Sequence, residues 1–213
     1  GFALTERPED GLPQRALREL ARRGYATALK SRRALNVFQN HDQLENFVRH
    51  GMVDRDRAVV ILGAGVDTTR FAATPLPEGQ PIVVLPARLL WDKGIGELVA
   101  AARKLRGRAR FVIVGGADPH NRAAIPQATL NDWQAEGAVE LWGFRDDMPA
   151  VLAQATLVVL PSYAEGLPLA IAEAQACGRA CITSDAPGCR EAIAPGRSGV
   201  LVPLRDPAAL ANA

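Results

Sequence analysis

Aromatic residues make up only 5% of the 213-residue chain, and no aromatic-plus-basic strip forms a platform on which bases could stack. The formal net charge is +2, too small to draw the chain onto a nucleic acid. Long hydrophobic runs are missing. Stretches such as Ile82 to Leu85 and Leu157 to Leu160 fall far short of the roughly 20 residues that span a bilayer as a helix. No signal peptide is legible at the start. Cysteine is scarce: Cys177, Cys181 and Cys189 form an odd set in one short stretch, with no second Cys or His cluster to complete a zinc site. They read as small buried residues of a reducing, cytoplasmic compartment. No G-x-G-x-x-G follows any expected strand, which argues against a nicotinamide oxidoreductase.

What the chain does have is core-forming capacity and rhythm. Hydrophobic residues are 48% and charged residues 23% of the sequence, the balance of a globular protein with one large or two small domains. Helix is expected over 12–35, 41–50, 95–105, 123–136, 148–155 and 168–177, with a short helix at 189–193. Strand is expected over 34–39, 58–62, 82–85, 110–114, 139–142, 157–160, 180–183 and 199–202. Short apolar strands alternating with helices predict an α/β fold: a doubly wound, Rossmann-like parallel sheet covered on both faces. Pro75-Leu76-Pro77-Glu78-Gly79 is the best linker candidate. The expected division is a partial second Rossmann-like domain over 1–78 and the main domain over 79–213. Such sheets gather their ligand loops at the carboxyl ends of the strands, so those loops carry the functional reading.

The strongest of them is Pro161-Ser162-Tyr163-Ala164-Glu165-Gly166-Leu167-Pro168, which follows a strand and opens a helix. Gly166 permits close backbone approach to a ligand. Pro168 suits a first helical turn, and the N–H groups there attract an anion. Glu173 lies five residues past Pro168, about 7.5 Å along a helix axis. Two carboxylates either side of an anion site suit a diphosphate flanked by hydroxyl-bearing groups, because a carboxylate accepts two charge-assisted hydrogen bonds from a vicinal diol. Taken singly, Glu165 reads more readily as a turn residue and Glu173 as a solvated helix position; it is the two together at this spacing that point to a ligand. Arg88 and Lys93 follow the strand 82–85 and could neutralise a diphosphate; a solvated pair near Asp92 is the alternative reading of that loop alone. Gly115 and Gly116 end another strand, a weaker signal. Gly143 and Phe144 end a third, where the loop could meet a base; Phe144 reads equally as core.

At these residues the chain resembles a known family. Glu165 with Glu173 is similar to the E-x7-E signature of family-4 retaining glycosyltransferases of the GT-B fold. Arg88-Leu89-Leu90-Trp91-Asp92-Lys93-Gly94 resembles their phosphate-binding loop. Pro187-Gly188-Cys189-Arg190-Glu191 and Gly199-Val200-Leu201-Val202-Pro203 resemble their closing segments. The resemblance extends back through Val37-Phe38-Gln39-Asn40 and Gly63-Ala64-Gly65-Val66-Asp67, which look like the end of the N-terminal, acceptor-binding domain. It implies a metal-independent hexosyl transfer from a nucleotide-diphosphate sugar, by family default a UDP-sugar, with the donor as substrate and no cofactor. It implies Glu165 on the donor sugar, Glu173 on the ribose hydroxyls, and Gly166, Leu167 and Pro168 near the phosphates. Arg88 and Lys93 would stabilise the leaving group; Gly115, Gly143 and Phe144 would line the nucleotide. Trp91-Asp92-Lys93-Gly94 and Asp118-Pro119-His120-Asn121 look most like bacterial surface-polysaccharide enzymes. Those act on saccharide or polyprenyl-linked saccharide acceptors at the inner membrane face. The competing expectations are a non-catalytic nucleotide-sugar-binding module and a GT-B-fold sugar-nucleotide epimerase.

Three features remain. Asp54-Arg55-Asp56 has the spacing of a metal-binding pair in other glycosyltransferases but reads as a solvated turn. The basic helix near Leu12 to Arg33 could touch anionic lipid, although a solvated helix is the plainer reading. The chain opens on Gly1 and stops just after Asp206-Pro207 opens a helix. A fragment that binds donor weakly and catalyses little alone is therefore expected.

Overall fold

The computed structural model describes residues 11–31 and 33–213. Arg32, one of the cations counted in the basic helix, lies outside them. The chain divides into two compact units, Gly1–Gly63 and Ala64–Ala213.

In the first unit, α1 (Leu12–Leu29) is shorter than its apolar and basic pattern suggested. Strands β1 (Asn36–Phe38) and β2 (Ala58–Val60) pair in parallel around α2 (His41–Arg49). Asn40 caps α2, its side chain accepting from the Gln43 N–H at 2.7 Å. Phe38, Leu44 and Val53 form the small core. Asp54 opens a 3-10 turn and sits 3.7 Å from the Lys30 ammonium, while Arg55 pairs with Glu45.

The second unit holds a six-stranded parallel sheet. Its strands are β3 (Ile82–Pro86), β4 (Arg110–Val114), β5 (Glu140–Gly143), β6 (Leu157–Leu160), β7 (Ala180–Ser184) and β8 (Gly199–Val202). They lie in the order β5-β4-β3-β6-β7-β8. Building outward from β3 one way and from β6 the other is the doubly wound order, with its reversal between β3 and β6. The connecting helices are α3 (Ile95–Lys104), α4 (Gln127–Ala135), α5 (Met148–Gln154) and α6 (Leu169–Ala176), and α7 (Pro207–Asn212) follows β8. The unbroken Val/Ile/Leu runs of the central strands are those of a sheet buried on both faces. Val84, Leu85, Val112 and Val158 are fully buried, as are Ile95 of α3 and Ile171 of α6. Each such side chain contributes about 1.5–3 kcal/mol relative to exposure.

Several boundaries differ from the sequence expectation, for local reasons. Residues 123–126 are not helical. Pro126 starts α4 from outside, and the segment before it pairs with the loop after β3. Pro168 stands at the N-cap of α6 rather than inside its first turn. Asp147 occupies the N-cap of α5, but its carboxylate takes the Arg145 guanidinium at 2.7 and 2.5 Å instead of a helix N–H. The segment after residue 63 packs into the second unit. Phe71 belongs to its core, and the buried Arg179 guanidinium donates to the Pro75 and Leu152 carbonyls.

Candidate active site

Because β3 and β6 are parallel neighbours at the reversal point, the loops leaving their carboxyl ends must meet. The loop after β3 carries Arg88 and Lys93; the loop after β6 carries Glu165. Asp92 joins them, its carbonyl accepting from the Tyr163 N–H at 2.9 Å and the Ser162 hydroxyl at 3.1 Å. One residue on, the Lys93 ammonium donates to Glu165 Oε1 at 2.7 Å, each side chain only 16% exposed. A cation and a carboxylate 72 positions apart in sequence thus form a largely buried pair at the crevice where this topology places ligands.

Arg88 does not join that pair. Its guanidinium bonds Asp118, in the loop after β4, at 2.7 Å and is 60% exposed. Two backbone bonds hold these loops side by side: Trp91 N–H to the Ala123 carbonyl, 2.8 Å, and Ile125 N–H to the Leu89 carbonyl, 3.0 Å. Gly115 fits here for lack of space, since a Cβ would lie 1.8 Å from the Ala87 carbonyl oxygen. Its N–H bonds Gly143, which ends β5 with φ +70°. Phe144 is 78% exposed, so it is not core.

The Glu165-Gly166 turn rests on a neighbour that the residue pattern alone did not single out. Gly188 (φ +76°) lies so close that a Cβ there would sit 2.3 Å from the Glu165 carbonyl and 2.5 Å from that of Gly166. The Glu165 N–H bonds the Pro187 carbonyl at 2.9 Å. Gly166 and Leu167 lead into Pro168 and the start of α6, where the first helical N–H groups point out of the helix without an intrahelical acceptor. Glu173 sits in the middle of α6, half-buried; burial raises its carboxyl above the usual carboxylate range, against a smaller lowering by the Arg70 charge. Burial also raises the three thiols, Cys181 to about 12, which leaves them unreactive at neutral pH. Sequence spacing did not show that Tyr163 meets Glu97 and Arg205, that Asp118 meets Arg88, or that Gly188 underlies the Glu165 turn, because each of these contacts is long-range.

A doubly wound parallel sheet that reverses under a cation–carboxylate pair is a Rossmann-like fold, and its structural neighbours are of GT-B type. The family model described as "Glycosyl transferases group 1" matches residues 80–213, and the chain belongs to that family. It is 33% identical over 177 residues to the N,N'-diacetylbacillosaminyl-diphospho-undecaprenol alpha-1,3-N-acetylgalactosaminyltransferase of Campylobacter jejuni, covering 77% of this chain and 46% of that protein. It is 37% identical over 103 residues to the UDP-Gal:alpha-D-GlcNAc-diphosphoundecaprenol alpha-1,3-galactosyltransferase of Escherichia coli, covering 48% of this chain and 26% of that protein. The chain therefore spans less than half the length of these relatives. Among solved structures it resembles Anabaena Alr3699/HepE in complex with UDP and glucose, with a TM-score of 0.76, 22% identity, and 90% of this chain and 56% of the other covered. It also resembles the sucrose-phosphate synthase of Thermosynechococcus elongatus, with a TM-score of 0.76, 26% identity, and 91% and 51% covered.

Proposed function

We propose that the chain is the donor-binding part of a retaining hexosyltransferase that uses a nucleotide-diphosphate sugar, by its relatives' names a UDP-sugar. The acceptor of the whole protein is a saccharide or a lipid-linked saccharide. The Lys93–Glu165 pair at the β3/β6 reversal carries the reading. In it, Lys93 takes a diphosphate oxygen while keeping Glu165 within reach of the sugar hydroxyls. Arg88, tethered at the rim by Asp118, supplies a second cation. Negative charge grows on the diphosphate as the glycosidic bond breaks, and fixed cations in a half-dry crevice stabilise it most at that moment. The start of α6, with Gly166, Leu167 and Pro168, adds backbone donors and dipole, worth about 0.3–1 kcal/mol to an anion. Glu173 takes the ribose hydroxyls. Gly115, Gly143 and Phe144 line the base side, with the exposed Phe144 ring as its apolar surface. No protein nucleophile is assigned, and the departing phosphate can accept the acceptor's proton.

Residues 1–78 are assigned to the acceptor-side domain and its connection, and 79–213 to the donor domain. No described helix is long and apolar enough to cross a membrane. We place the protein in the cytoplasm, in peripheral contact with the inner membrane face when its acceptor is lipid-linked. Calorimetric titration of the chain with UDP, GDP and their sugars tests the assignment. UDP and UDP-sugars are expected to bind and GDP to bind more weakly. Absence of binding by every nucleotide overturns the assignment. Recovery of an epimerised sugar nucleotide with no acceptor present would favour the epimerase instead.

A further inference from the structure

We infer that Tyr163, Glu97 and Arg205 form a positioning device that holds the Glu165 carboxylate at the height where it meets the donor sugar; the inference rests on the donor-site reading above. Tyr163 lies two residues before Glu165 and is tied to three other segments. Its N–H bonds the Asp92 carbonyl at 2.9 Å, next to Lys93. Its hydroxyl donates to Glu97 Oε1, in the first turn of α3, at 2.7 Å. Its ring is covered by the Arg205 guanidinium, 4.5 Å from the ring centroid. Lys93 and Glu165 thus sit on two loops that share one strut, and the strut ends on a helix of the rigid sheet.

Two observations set this apart from ordinary packing. Arg205 has φ +58°, and it is the non-glycine residue in that region among the described residues. A side-chain-bearing residue is uncommon there and persists where its surroundings hold it. Here the guanidinium reaches back from the turn after β8 onto Tyr163, so the strained turn and the donor loop are coupled. Secondly, burial and the Glu97 carboxylate raise the Tyr163 hydroxyl to about 12. It therefore stays protonated, and so a donor, at every physiological pH. These three residues touch no reacting atom in this scheme. They act through Glu165.

A shared strut separates the sugar's contribution to donor binding from that of the nucleotide. The 213-residue chain is titrated with UDP, UDP-glucose, UDP-galactose and UDP-N-acetylgalactosamine, and the ratio of the best sugar-nucleotide affinity to the UDP affinity is read. Tyr163→Phe is expected to lower that ratio about tenfold, 1.4 kcal/mol, while UDP affinity alone stays within about twofold. Glu97→Gln keeps an acceptor for the hydroxyl and keeps the ratio; Glu97→Ala lowers it as Tyr163→Phe does. Combining Tyr163→Phe with Glu97→Ala lowers it no further than either alone. If Tyr163→Phe folds poorly, Glu97→Ala against Glu97→Gln decides the same point. An unchanged ratio in Tyr163→Phe or Glu97→Ala, with the unaltered chain still preferring a sugar nucleotide, overturns the positioning role and leaves the donor site standing. An unaltered chain that binds nothing overturns the donor-site reading and this inference together, whereas one that binds UDP and every UDP-sugar equally overturns this inference and leaves the nucleotide site standing.

Discussion

Replacing Lys93 by methionine keeps the apolar stem of the side chain and deletes its charge. Glu165, 16% exposed, then holds a carboxylate in a crevice without its 2.7 Å cation. Two unit charges about 4 Å apart attract by roughly 4 kcal/mol at the effective dielectric of protein sites. Removing one partner of a buried pair costs about 3–5 kcal/mol; since water reaches part of this pair, about 2–3 kcal/mol is expected. At 2–4 °C per kcal/mol for a chain of this size, the melting temperature falls by roughly 4–12 °C. Glu165→Gln should cost less, because an ammonium reaches water more readily than a fixed carboxylate. The double variant should be more stable than Lys93→Met alone, since the carboxylate that lost its cation is then neutral. Function separates the partners in the opposite sense. Lys93→Met should weaken UDP at least tenfold, about 1.4 kcal/mol. Glu165→Gln should strengthen UDP, by removing a negative charge beside the diphosphate, while weakening the UDP-sugar. Scanning calorimetry gives the first set and isothermal titration the second. A Lys93→Met chain that melts early yet binds UDP as before would show a purely structural pair and refute the phosphate assignment.

Glu173→Gln should raise the melting temperature at pH 7, by no more than about 2–4 °C, while weakening UDP through loss of the ribose contact. The sign follows from the raised carboxyl of Glu173, whose charge is disfavoured in the fold. The gain should vanish as the pH falls below the usual carboxylate range, where both forms are neutral. Gly188→Ala forces a Cβ to within 2.3 Å of the Glu165 carbonyl at φ +76°. It should cost about 1–3 kcal/mol in denaturant unfolding and weaken the UDP-sugar. Phe144→Ser, at a ring 78% exposed, should leave stability within about 0.5 kcal/mol. UDP should weaken by about 1 kcal/mol or more, with inorganic diphosphate binding unchanged in the same titration. Asp118→Asn should free the Arg88 guanidinium, now held at 2.7 Å, and change UDP affinity only while Arg88 is present; an equal change in an Arg88→Ala background would refute the tether.

Much of the donor unit was legible from residue order alone. Its strands announce themselves because a parallel sheet buried on both faces needs unbroken apolar runs, and β4, β6 and β8 fall where those runs fall. The loop 161–168 was legible too, because proline, glycine and a carboxylate between a strand and a helix have few other uses. Competing partners defeated pattern reading elsewhere. Residues 123–126 look helical, yet their backbone groups bond the loop after β3. Asp147 stands at the N-cap of α5, yet its carboxylate pairs with Arg145 and caps no helix N–H.

The local chain thus determined which residues carry charge, where the backbone turns, and that the sheet is parallel, since each is written in a few adjacent positions. Which charges meet was decided by the strand order, which sets β3 beside β6 and so Lys93 against Glu165, while Arg88 goes to Asp118. The same holds for Tyr163 resting on Glu97 and Arg205, and for Gly188 yielding space to the Glu165 turn. Contacts between positions as far as 72 apart depend on crossovers that close only when the whole sheet is assembled, and no stretch of sequence a few residues long encodes that closure.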